Sequence, residues 1–192
     1  QGPLSISIHA MGWVPVGQAI TRSGAQIGDV IMVSGSLGDS AAGLQIMQRQ
    51  HGASDTLSKR FWNPTPRIAL GQWLRNKATA CLDISDGLVQ DLGHILTASN
   101  CGADLQLQDL PLSAELQSHV SQSQARDYAL NGGEDFELCF TLPVHLIAPA
   151  QAFAQSQDLP LTAIGRTSAK LGCRIWHGDG GLFTAPQGYQ HF

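Results

Sequence analysis

Leu4, Ile6 and Ile8 alternate with Ser5, Ser7 and His9, the period of a strand with one buried face, and the pattern can run to Val14. Pro15, Gly17 and Thr21-Arg22-Ser23-Gly24 then read as a connection. The apolar run Asp29 to Val33 predicts a buried strand. It enters Ser34-Gly35-Ser36-Leu37-Gly38-Asp39-Ser40 and a small-residue helix over Ala41 to Gln50. Polar residues 51–59 read as a loop, and Pro64 and Pro66 open a helix near Arg67 to Asn76, as proline does in a first turn. Ala78 to Leu82 is the next apolar run. After it, Leu88, Leu92, Ile95 and Leu96 fall at helical spacing within Leu88 to Ala98. Asp104 to Leu107 alternates as a strand, Pro111-Leu112-Ser113 starts a short helix, and Ser123 to Leu130 reads as another. Phe136 to Leu142 predicts a strand with Phe136, Leu138 and Phe140 on one face. Residues 145–156 read as a helix that Pro149 kinks or restarts. Leu161 to Gly165 and Cys173 to His177 read as short strands, and Gly178 to Phe192 as an irregular end. Strands and helices interleaved in this way predict an α+β fold, a mixed sheet packed with helices.

The 192 residues can build one substantial core, or one domain with part of another. A net charge of −4 and the lack of any run of Lys or Arg argue against nucleic acid as the main partner. No apolar stretch approaches the roughly 18 residues that would span a membrane, and no signal-peptide pattern opens the chain. Cys81, Cys101, Cys139 and Cys173 are widely spaced with no Cys-x-x-Cys, which suits a reduced, cytoplasmic protein. The seven histidines show no zinc spacing, and His94 reads as a surface or half-buried residue. The chain starts at Gln1 without an initiator Met, which suggests a fragment or a processed form.

Chemistry concentrates in three turns where glycine meets acid. Asp83-Ile84-Ser85-Asp86-Gly87 joins an apolar run to an amphipathic one. Two carboxylates and a hydroxyl there suit a hard cation such as Mg²⁺, and the helix that follows would aim its first amides at a phosphate. The alternative is structural: Ser85 or Asp86 caps the helix and Asp83 faces water. Gly35 to Asp39 is the first of the three in chain order and Asp83 to Gly87 the second, and Asp39 is a possible helix cap. Asn131-Gly132-Gly133-Glu134-Asp135 is the third, where glycine could end a helix beside solvated acids. Neither Gly-x-x-x-x-Gly-Lys-Ser/Thr nor Gly-x-Gly-x-x-Gly is present, and Lys59, Lys77 and Lys170 lie outside these turns. A nucleotide site would therefore manage phosphate charge with carboxylate-held metal and a few arginines, of which Arg22, beside Ser23 and Gly24, is the best placed.

Taken together, these segments resemble the thiamine-monophosphate kinase family. The resemblance runs through Gly2-Pro3-Leu4-Ser5, Ala19-Ile20-Thr21-Arg22-Ser23-Gly24-Ala25, Val33 to Leu44 and Pro64-Thr65-Pro66-Arg67. It continues through Asp83 to Leu88 with Asp91 to Leu96, Gly132 to Leu138, and Gly188-Tyr189-Gln190-His191-Phe192. The two acidic motifs also suit the wider superfamily of aminoimidazole-ribonucleotide synthetase. The Thr-Arg-Ser-Gly-Ala segment and the tail favour the thiamine kinase.

The resemblance implies the carboxyl-terminal domain of the aminoimidazole-ribonucleotide synthetase-like fold. It implies ATP- and Mg²⁺-dependent phosphorylation of thiamine monophosphate to thiamine diphosphate. By the same resemblance Asp83 and Asp86 would bind Mg²⁺, Ser85 and Arg22 would contact ATP, and Glu134 and Tyr189 would contact the thiamine substrate. No general base is implied, because the nucleophile is a phosphate oxygen that is already anionic. The family usually has Asp where this chain has Gln190, and Ser where it has Asn131. Residues 1–16 would be the last strand of an absent amino-terminal domain that completes the metal site and builds a homodimer, and residues 17–192 the carboxyl-terminal domain. The chain by itself would then turn over poorly and self-associate. Two other readings stay open: an aminoimidazole-ribonucleotide synthetase-like enzyme, and a non-catalytic binding domain that keeps the fold.

Overall fold

The computed structural model describes residues 4–49 and 56–183, and within them the interleaved pattern folds around one mixed sheet. The elements in chain order are β1 (Val30–Ser34), α1 (Asp39–Arg49), α2 (Thr56–Trp62), α3 (Ile68–Leu74), β2 (Ala80–Asp83), α4 (Leu88–Ser99) and β3 (Gly102–Gln106). They continue as α5 (Ala114–His119), α6 (Gln122–Asn131), β4 (Leu138–Leu142), α7 (Ile147–Ser156), β5 (Leu161–Ser168), β6 (Gly172–Trp176) and β7 (Leu182–Phe183). The seven strands lie in the order β2-β4-β1-β5-β3-β6-β7. Neighbours are antiparallel except β3 and β6, which run parallel from Gly102↔Gly172 to Gln106↔Trp176.

The apolar run of β1 is central, and all five of its residues are buried. Ile31 and Val33 face one core with Leu88, Leu92 and Ile95 of α4, while Val30 and Met32 face another with Leu70 and Leu74 of α3 and Ala150 and Ala154 of α7. Helices thus cover both faces of the sheet, and each large apolar side chain so buried contributes about 1.5–3 kcal/mol. A third cluster joins α1, α2, α5 and α6 through Ala42, Leu57, Leu116 and Ala125. The expected α+β class holds. Ser113 caps α5 by accepting from the Leu116 amide, and Ser121 caps α6 by accepting from the Gln124 amide. Pro149 lies in the first turn of α7, which starts afresh after a single 3-10 turn at Val144–Leu146.

Several expectations change. Residues 4–14 form no strand, and Leu4, Ile6 and Ile8 are 89%, 75% and 90% exposed. Alternation specifies a strand only where a neighbour accepts its backbone bonds and covers its apolar face, and no described residue covers these three. Residues 56–59, read as loop, begin α2, because Leu57 finds an apolar seat against α5 and α6. Phe136 lies outside β4, with φ at +50°, and its amide donates to the Ile84 carbonyl. Leu182–Phe183 adds a short strand inside the end read as irregular. All four cysteines are free thiols, and burial with the nearby Asp83 charge pushes Cys81 up to about 12. No helix among the described residues is long and apolar enough to cross a membrane.

Candidate functional site

The three acidic turns meet at one place. Backbone bonds stitch the second to the third: the Glu134 amide donates to the Ser85 carbonyl, the Phe136 amide to Ile84, and the Ile84 amide to the Glu137 carbonyl. Gly133 permits this approach, since a Cβ there would lie 2.3 Å from the Ser85 carbonyl oxygen. The first turn is bound to the third by Asp135, whose carboxylate accepts from the Gly38 amide at 2.7 Å and the Ser40 amide at 3.2 Å at the start of α1. Burial pushes the Asp135 carboxyl up to about 7, with those two amides pulling the other way.

The second and third turns line a cleft of about 480 Å³ just beyond the first. Ser85, Asp86 and Glu134 line it beside Ser40, and α1, α2 and α6 add an apolar and aromatic wall with Leu44, Phe61 and Tyr128. Asp86, Asp127 and Glu134 bring three carboxylates to the lining, and no Lys or Arg among the described residues is part of it. Glu134 is exposed and has φ at +69°, a conformation that costs a non-glycine residue about 1–2 kcal/mol. Such strain persists where surrounding bonds hold it, and it clusters at binding sites.

The structure thus brings Ser85, Asp86 and Glu134 together. Asp83 stands at the exposed end of β2, just outside the lining. Arg22 is exposed and lies elsewhere: its carbonyl faces the Ser99 hydroxyl at the far end of α4. That helix has 12 residues and so spans about 18 Å. Tyr189 and Gln190 lie outside the described residues. His94 is exposed, as expected.

The purely structural alternative for the second turn does not hold in its simple form. The cap position of α4 is Gly87, at φ +113°, with no side-chain cap bond. The turn amides go to Asp91 instead, whose Oδ2 accepts from Ser85 and Asp86, each at 2.9 Å. Asp91 is buried, and that burial raises its carboxyl above its ordinary value against the pull of those amides. The amides of Ser85 and Asp86, just ahead of the helix, are therefore taken up within the fold. Asp39 does not cap with its side chain either, since its carboxylate accepts from the Ser36 and Ser113 hydroxyls, each at 2.6 Å. The acids around Gly132 and Gly133 divide: Glu134 is solvated and Asp135 is buried.

A second cluster escaped the sequence reading. Glu137, 1% exposed, receives Nε of Arg67 at 2.7 Å and its Nη2 at 2.5 Å, Nη2 of Arg60 at 2.8 Å and the Ser34 hydroxyl at 2.5 Å. Gly35 leaves the space, because a Cβ there would fall 2.1 Å from Oε1 of Glu137. The carboxylate ties β1, α2 and the start of α3 to β4, and Phe61, the residue after Arg60, carries this brace to the cleft wall. The signal was a glutamate inside an apolar strand run. Asp91 gave a similar one, an acid on the apolar face of α4 between Leu88 and Leu92.

A divalent cation is implied by the resemblance, and the donor set fits it in part. Among the described residues no three His, Cys, Asp or Glu side chains are grouped so as to hold a metal by themselves. Asp83 and Asp86 supply two hard oxygen donors at a water-facing turn, with Gln90 donating to Asp86 at 3.1 Å. Mg²⁺ commonly uses one or two carboxylates with waters and substrate phosphates completing its shell.

Residues 26–177 match the family described as AIR synthase related protein, C-terminal domain. The chain belongs to that family. Within the AIR synthase related family it is 45% identical to thiamine-monophosphate kinase from Escherichia coli (strain K12), over all of this chain and 61% of that protein. The crystal structure of thiamine-monophosphate kinase from Stenotrophomonas maltophilia K279a superimposes with a TM-score of 0.81 at 43% identity, covering 84% of this chain and 54% of that one. AaThiL complexed with AMPPCP and TMP matches with a TM-score of 0.76 at 35% identity, over 90% of this chain and 54% of that one. The chain therefore spans about three-fifths of the E. coli relative's length. The similarity to thiamine-monophosphate kinases is borne out, and so is the AIR synthase-like fold.

Proposed function

We propose that the chain is the carboxyl-terminal part of a thiamine-monophosphate kinase. The reaction would transfer the γ-phosphoryl group of ATP to thiamine monophosphate. A phosphate oxygen of thiamine monophosphate forms a bond to the γ-phosphorus as the bond to the β,γ-bridging oxygen breaks, leaving ADP and thiamine diphosphate. The attacking oxygen is anionic near neutral pH, so no residue need remove a proton. Asp83 and Asp86 would hold Mg²⁺, which when bound offsets the repulsion between two phosphorylated substrates. The Ser85 hydroxyl, at the cleft floor, would donate to ATP. The role of Arg22 towards ATP and of Tyr189 towards the thiamine substrate rests on the resemblance alone.

The observation that carries this reading is the chemistry of the cleft. Three carboxylates beside two aromatic rings, with no Lys or Arg of the described residues in the lining, suit a cationic aromatic ligand such as thiamine. Glu134 would be the principal acceptor for its cationic or amino-pyrimidine part. The phosphates would lie towards Asp83 and Asp86, where metal rather than protein cations meets them. Full-length protein is proposed to be a cytoplasmic homodimer, with residues 1–16 belonging to a preceding domain.

The test is a coupled ADP-release assay with ATP, Mg²⁺ and thiamine monophosphate. It is run on this chain and on one extended to the length of the relatives. The extended protein should turn over thiamine monophosphate and the chain alone poorly. Turnover of an aminoimidazole-ribonucleotide precursor instead would move the reading to the synthetase. Binding of ligands with no turnover by either protein would leave a binding domain.

A further inference from the structure

We propose that Asp91 is the positioning residue of the Asp83–Gly87 turn. It fixes which groups of that turn face a metal–nucleotide complex, and this rests on the functional reading above. A single carboxylate oxygen accepts both the Ser85 and the Asp86 amide at 2.9 Å, and the residue is 4% exposed. Its own amide donates to the Gly87 carbonyl at 3.0 Å, so Asp91 sits in the first turn of α4, beneath the segment it holds.

Two consequences follow for chemistry. First, consecutive amides at a helix start would ordinarily form an anion-binding concavity. Here two of them are spent on an internal anion, so the turn presents the Ser85 hydroxyl and the Asp86 carboxylate to the cleft in place of a nest of N–H groups. That is the face of a cation site and not of a direct phosphate site. Second, with both amides anchored, the Ser85 and Asp86 backbone cannot rotate without breaking two charge-assisted bonds. The oxygen donors are then held in place before any ligand arrives. Preorganisation of this kind, supplied by residues that never touch the metal, typically governs affinity and rate by about 10–100-fold.

The discriminating substitution is Asp91→Asn, which keeps size and one acceptor oxygen but removes the charge that strengthens the two shared bonds. In the extended protein the Mg²⁺ concentration for half-maximal turnover should rise by about 10–100-fold, while KM for thiamine monophosphate changes by less than about threefold. Calorimetric binding of the Mg²⁺ complex of a non-hydrolysable ATP analogue should weaken in parallel. A merely structural residue would lower the melting temperature and leave the Mg²⁺ dependence and the KM ratio alone, and that result overturns the proposal. A second measurement needs no variant: in this chain the amides of Ser85 and Asp86 should exchange with deuterium slowly. Fast exchange at both overturns the proposal as well. Wild-type protein that binds neither Mg²⁺ nor nucleotide would sink the functional reading and this one with it. Normal binding in both wild type and Asp91→Asn sinks the positioning role alone.

Discussion

Replacing Glu137 by alanine should be among the most damaging single changes in this molecule. The side chain is 1% exposed and pairs with two guanidinium groups that are themselves 20% and 16% exposed. Alanine would leave Arg60 and Arg67 facing each other in a half-dry space with no counter-charge, since the other acid near Arg60, Asp39, stands off at 3.9 Å and already serves two hydroxyls. Breaking a buried pair by removing one partner costs about 3–5 kcal/mol. At about 2–4 °C per kcal/mol for a chain of this size, the melting temperature should fall by roughly 6–20 °C. Thermal and urea unfolding followed by circular dichroism would measure both. The same argument requires that most of the loss be the unpaired cations and not the missing methylenes. Replacing Glu137, Arg60 and Arg67 together by Leu, Met and Met should therefore recover stability to within about 2 kcal/mol of the wild type. A loss below about 1 kcal/mol for Glu137→Ala, or no recovery in the triple variant, would refute the view of this cluster as the brace between sheet and cleft wall.

Three further outcomes are expected. Asp83→Asn in the extended protein should lower the rate by two or more orders of magnitude, as removal of one electrostatic group commonly does, and unchanged rate and Mg²⁺ dependence would remove Asp83 from the site. Glu134→Gln should raise KM for thiamine monophosphate more than that for ATP, and an equal rise in both would count against a substrate role. Asp135, at about 7 in the fold against 3.8 in its ordinary state, holds a proton in the native protein that the unfolded chain has released between those values. Its contribution to stability is thus greatest in acid and declines as pH rises from about 4 to 7. In that window Asp135→Asn should flatten the slope of unfolding free energy against pH by up to about 1.4 kcal/mol per pH unit, and parallel wild-type and variant curves would disprove the assignment.

Local periodicity was enough for the parts that bury themselves. The four apolar positions of α4 and the continuous run of β1 could be read directly, because each segment carries its own burial pattern. The order of strands could not, since pairing joins positions such as Val30 and Leu142 that share no local signal. Residues 4–14 show the limit from the other side: their alternation is as regular as that of any strand here, and without a partner among the described residues it specifies no strand. The turns were legible as chemistry but not as geometry. Which amide meets which carboxylate depends on side chains several residues away or on another element, as with Asp91 under Ser85 and Asp135 at the start of α1.

Burial sorts the acids of the three turns into two kinds. Asp39, Asp91, Asp135 and Glu137 are buried, and each accepts at least two donors from neighbouring elements. Their oxygens are taken up in holding the turns against one another. Asp83 and Glu134 are exposed, and Asp86 is half-buried at the cleft floor. Asp127 lines the same cleft and accepts from Asn131 at 2.8 Å, and Asp86 accepts from Gln90 at 3.1 Å, while no Lys or Arg among the described residues joins the lining. One set of carboxylates is anchored within the fold, and the other lines the cleft or stands beside it. On the proposed function the cleft would receive positive charge, from a metal held by Asp86 with Asp83 beside it and from a cationic ring at Glu134. A kinase that joins a metal-bound nucleotide to a thiazolium-bearing phosphate supplies both.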